Sequence, residues 1–117
     1  MVSDLHEEVK RLSDLIDAGV KAVTTEARKA AHAEHDYRKG KGEQWAYVKA
    51  EGERTAAHMA AEVDARTADL RLQRDLAEGE RASALEALRS RRTQLSAVQS
   101  LLAVDRAEAE IAGRGPR

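Results

Sequence analysis

Leu85, Leu88, Leu95, Val98 and Leu102 recur at threes, fours and sevens, a spacing that aligns them along one side of a helix as a seam for another helix. They lie in a run from Thr67 to Ala112 that has no proline and only Gly79 among good helix formers. One helix of roughly 70 Å is predicted there. Within it Leu72 and Leu76 project from nearly the opposite face to Leu88 and Leu95, with Gly79 between the two groups. The two halves of this element are therefore expected to meet different partners.

The upstream pattern is weaker. Leu5, Val9, Leu12 and Ile16 keep helical spacing over Ser3 to Asp17, and Gly19 is expected to end or bend that element. From Val20 to His35 the apolar side is Val20, Val23, Ala27, Ala30 and Ala31, which permits close helix approach but buries little. Two glycines within three residues, Gly40 and Gly42, predict a break or frayed turn over Tyr37 to Gly42. Helix is expected to resume over Glu43 to Ala50 and to stop near Gly52. Thr55 is a plausible N-cap for a short piece carrying Met59 and Val63, and a turn is expected over Asp64 to Thr67. The fold expected is all-α: an elongated helical hairpin or bundle with one long C-terminal helix, oligomerising through coiled-coil-like seams. Its parts are an N-terminal helix over 1–18, a hairpin and oligomerisation domain over 19–112, and a disordered tail over 113–117.

Composition strengthens the expectation of self-association. Val, Ile, Leu and Phe make up 21 of 117 residues, too few for a generous globular core, whereas Ala, Glu, Lys, Leu and Arg make up 67. That balance suits long helices packed through narrow alanine-rich stripes, with the Leu85, Leu88, Arg92, Leu95, Val98 and Leu102 surface as the subunit contact. Net charge is only −1 and is even along the chain, so polyanions could be drawn only by local patches. The absence of cysteine excludes disulfides and suits a reducing compartment. The charged first ten residues lack a signal-peptide apolar run, and no stretch of membrane-spanning length occurs, so a cytoplasmic protein without membrane contact is expected.

Little in the sequence carries covalent chemistry. His32 and His35 stand three apart beside Glu34 and Asp36, but no HExxH run and no cysteine accompany them, and neither a metal site nor a cofactor is expected. The carboxylates alternate with Lys and Arg as solvated helix faces do, and no enzyme is expected. The more informative cluster lies between Tyr37 and Lys49. All three aromatic residues, Tyr37, Trp45 and Tyr47, fall there among Arg38, Lys39, Lys41 and Lys49. Single strands are commonly held by cations along the phosphates and rings under the bases, although Trp45 could equally anchor a poor core. A second basic group, Arg89, Arg91 and Arg92, could bind phosphates or form salt bridges at the edge of the leucine seam.

Read in order, the Asp36–Tyr37 pair, the glycine-rich basic segment, the amphipathic piece from Trp45 to Met59 and a last helix ending in Glu108 to Gly113 resemble the UvsY-type recombination mediators of phages. The likeness covers about residues 25 to 113. The last helix, through Leu85 to Arg89 and Leu95 to Leu102, is also similar to that of other small helical phage proteins. The resemblance implies a ring-forming helical protein that binds single-stranded DNA and helps load a recombinase onto strands coated by single-strand-binding protein. Where those mediators carry basic residues before the Asp and Tyr, this chain has His32 and Glu34, so the contact would shift to Arg28, Lys29, Arg38, Lys39 and Lys41, with Tyr37, Trp45 and Tyr47 as stacking rings. A coiled-coil adaptor that engages a host or phage protein and no nucleic acid fits the balanced charge equally well.

Overall fold

In the computed structural model, which describes residues 2–114, the chain forms three helices: α1 (Val2–Ala50), α2 (Ala56–Arg66) and α3 (Ala68–Arg114). No strand occurs among the described residues. The all-α fold with one long C-terminal helix is as the pattern predicts. Two helix ends are also as expected. Gly52 adopts φ 133°, a left-handed conformation costly for any residue with a Cβ, and so ends α1. Thr55 accepts a hydrogen bond from the His58 amide at 3.2 Å and caps α2.

Three expectations are corrected. α1 does not end at Gly19, the predicted break over Tyr37 to Gly42 is continuous helix, and the turn expected over Asp64 to Thr67 contracts to Thr67 alone. The tail expected over 113–117 is helical at its start, since α3 runs through Gly113 to Arg114, and residues 115–117 lie outside the described residues.

The reason for the continuity is visible along α1. Its buried and half-buried positions, including Leu12, Ile16, Gly19, Val23, Ala30, Tyr37, Gly40 and Val48, recur at threes and fours without interruption. Gly19 and Gly40 stand in that row as hollows. A Cβ on Gly19 would lie 3.2 Å from Leu88 Cδ1, and one on Gly40 would overlap Leu70 Cδ1. Each glycine costs a helix about 1 kcal/mol, but sheltering a leucine gains about 1.5 to 3 kcal/mol, so packing outweighs propensity.

The chain divides into two compact units, and α1 and α3 each contribute to both. One unit comprises residues 1–23 with 84–117. In it the helices run antiparallel, with Leu12 fully buried, Leu88 against Gly19, and Leu102 lining a groove with Val9. The other unit is residues 24–83, where Val48, Val63 and Thr67 form the most buried cluster. The Thr67 hydroxyl donates to the Val63 carbonyl at 2.7 Å, which satisfies a buried polar group at the one-residue joint between α2 and α3. Arg66 reaches back to both oxygens of Glu51 at 2.8 Å and to Glu62 at 3.0 Å, tying α2 to the end of α1.

Candidate nucleic-acid interface

Within residues 24–83 the row Ala30, Ala33, Tyr37, Gly40 and Gln44 faces inward, which fixes the outward positions of α1. Those outward positions hold Arg28, His32, His35, Arg38, Lys39 and Lys49, with Asp36 and Glu43 also exposed along one edge. Glu26 and Glu34 are half-buried toward the inward row, whereas Asp36 and Glu43 are exposed. A balanced sequence thus gains a cation-rich stripe about 30 Å long from Arg28 to Lys49, with Asp36 and Glu43 along one edge.

The residues expected to hold a strand separate into three groups. Arg28, Arg38 and Lys39 share the outward face, and Trp45 is half-buried at its edge with the Lys49 ammonium 5.7 Å from its ring. Lys29, Lys41 and Tyr47 lie on the flanks: Lys29 is 3.5 Å from Glu26, Lys41 is half-buried, and the Tyr47 ring is 62% exposed. Tyr37 stands apart, because it is only 8% exposed and the Arg74 guanidinium lies 4.2 Å from its ring centre. The Lys41 ammonium adds a second cation at 5.7 Å. A ring so enclosed presents no free face to a base.

Among the outward cations the partners differ. Arg38 donates to Glu34 at 2.7 Å, while among the described residues Arg28, Lys39 and Lys49 stand in no ion pair. Glu34 also stands 3.8 Å from Arg74, which hydrogen-bonds Asp75, and that bond raises the Arg74 pKa above its ordinary value. These groups line an open groove of about 530 Å³ with Ala27, Ala30 and Arg81. Arg74 faces Asp75 and Arg81 faces Glu78, so the groove is charge-balanced, unlike the outward face.

His32 and His35 are both exposed on the basic face, and no cluster of three or more metal-ligating side chains occurs among the described residues. Their place beside Arg28, Arg38 and Lys39 is a matter of helical register. Running the three-and-four spacing through Gly40 and Gly42 would have found it.

Of the surface expected to join subunits, Leu88 is 5% and Leu102 8% exposed, and both are covered by α1 of the same chain. Leu85, Leu95 and Val98 are half-buried and Arg92 is exposed. A second subunit is not needed to bury Leu88 or Leu102. No described helix is long and apolar enough to cross a membrane. Comparison with protein families, characterised proteins and solved structures finds no match to the chain.

Proposed function

We propose that this protein is a non-catalytic mediator that holds single-stranded DNA without sequence preference, as a cytoplasmic homo-oligomer, and assists recombinase loading on strands bound by single-strand-binding protein. The observation that carries the reading is the outward face of α1, where the exposed cations Arg28, Arg38, Lys39 and Lys49 outnumber the exposed carboxylates Asp36 and Glu43 at its edge and the half-buried Trp45 lies at its border. Cations spaced along a helix neutralise successive phosphates, and a half-exposed indole offers a base one stacking face, which together give affinity without sequence readout. The resemblance to UvsY-type mediators supports the recombination setting. The strand contact is assigned to Arg28, Lys39, Lys49 and Trp45, with Arg38 secondary because Glu34 already engages it.

A labelled oligothymidylate titrated with the protein at low salt tests this directly. Fluorescence anisotropy should rise, and Trp45 emission should be quenched as bases stack on it. An oligonucleotide that stays free under those conditions overturns the reading. The exposed Leu72 and Leu76 favour a second one, a coiled-coil adaptor whose contacts are with protein alone, and it would then take first place.

A further inference from the structure

Two histidines interrupt the cation stripe of α1. Its outward row repeats at fours and threes through Arg28, His32, His35 and Lys39, all four exposed. Arg28 and Lys39 are about 16 Å apart along the helix axis, and the two imidazoles stand between them at steps of about 5 to 6 Å. Neutral imidazoles leave that interval charged only at its ends, whereas imidazolium groups make it continuous. The surroundings of the pair are set by register. His32 has Arg28 one turn before it and the exposed Asp36 one turn after it, and His35 is followed one turn on by Arg38 and Lys39. The helix α3 meets the other, inward side of α1. The charged groups it brings to the flank beyond Ala31 and Arg38 are Arg74, Asp75, Glu78 and Arg81, and there Asp75 faces Arg74 and Glu78 faces Arg81. α2 joins the unit at the Val48 end, well beyond His35.

We propose that His32 and His35 make the hold on a single strand pH-dependent, their imidazoles taking up protons as phosphates settle on the row between Arg28 and Lys39. The inference rests on the strand-binding reading and adds the regulation of that site. Histidine is the side chain whose charge changes between about pH 5 and about pH 8, while arginine and lysine stay charged throughout. A phosphate on the row favours the imidazolium, so the complex holds more protons than the free protein. By linkage, affinity then rises as pH falls. Two added phosphate contacts also steepen the dependence of log affinity on log salt, by up to about 1.4.

Anisotropy titrations of a labelled oligothymidylate at about pH 8 and about pH 5.5, each at several salt concentrations, test it. Thymine and the phosphodiester keep their charge over this range, so a change belongs to the protein. The wild type should bind several-fold more tightly, with a steeper salt slope, at the lower pH. Replacing the pair, His32→Gln with His35→Gln, should remove most of that difference. His32→Lys with His35→Lys should also remove it, by fixing the row in its charged form and bringing the pH 8 slope to the acid value. The other two histidines lie off the stripe, and His6→Gln with His58→Gln should keep the full wild-type response. Circular dichroism at both pH values checks that helicity is retained, as expected for exposed positions. Binding that is indifferent to pH overturns the proposal and leaves the strand-binding reading standing. A Gln pair that responds to pH like wild type does the same, because the response then comes from other groups. No binding at either pH overturns both.

Discussion

Gly40 shows how a residue that reads as a helix breaker can be a packing device. Its missing Cβ is the space Leu70 Cδ1 occupies, whereas around Gly79, also within helix, a Cβ would meet nothing within 4 Å. The two glycines therefore separate propensity from packing. Gly79→Ala should stabilise by about 1 kcal/mol from helix propensity alone. Gly40→Ala gains the same propensity but must turn Leu70 out of its place, so its net effect should be near zero or destabilising. Thermal melts followed by circular dichroism check this, and equal increases for the two variants would refute the hollow at Gly40. The same contrast explains what the sequence hid. Propensity is a property of the residue and its neighbours, while the partner of Gly40 lies thirty positions away. Tyr37 was misread for a related reason, since a break at Gly40 and Gly42 would have freed its ring, and an unbroken helix turns it inward.

At the scale of the element, α2 is the part most dependent on its ends. Eleven residues make a marginal helix in water, so α2 relies on burial of Val63, on Thr55 at its start and on Arg66 at its finish. Thr55→Ala removes the acceptor for the His58 amide and should cost about 1 kcal/mol, read as roughly fivefold faster hydrogen exchange within α2 while the centre of α1 stays protected. The Arg66 pair with Glu51 adds a pH dependence whose sign is fixed. Hydrogen bonding to Arg66 holds the Glu51 carboxyl below its ordinary value of 4.5. The stabilisation is complete above that value, where the unfolded glutamate is ionised, and is lost as pH falls through the lowered folded value. Both side chains meet solvent, so the effect is small and weakens with salt. Titrating α2 exchange across mildly acid pH should show loosening in the wild type and none of that increment in Arg66→Gln. The end of α1 and the start of α2 were legible because Gly52 and Thr55 act locally. The Glu51 to Arg66 tie was not, since it spans fifteen residues and either partner has nearer ions to choose from.

For the whole molecule, a net charge of −1 conceals an ordered distribution, and it is the order that bears on function. The clustering of Arg38, Lys39 and Trp45 was visible in the sequence, but the alignment of Arg28, Arg38, Lys39 and Lys49 on one outward stripe, with Asp36 and Glu43 at its edge, appears only when the helical register is carried through both glycines. Each neutralised phosphate should contribute about −0.7 to the slope of log affinity against log salt. Replacing Arg28, Lys39 and Lys49 together by alanine should reduce the slope by about 2, because three such contacts are lost. Arg38→Ala should change it by less than any one of those, since the Arg38 guanidinium already has the Glu34 carboxylate at 2.7 Å as its counterion and releases fewer solution ions on meeting a phosphate. Anisotropy titrations at several salt concentrations give all three slopes. A triple variant that keeps the parental slope would remove the outward face of α1 from any role in holding a strand, whereas a large loss from Arg38→Ala alone would mean that Glu34 lets go when the phosphate arrives.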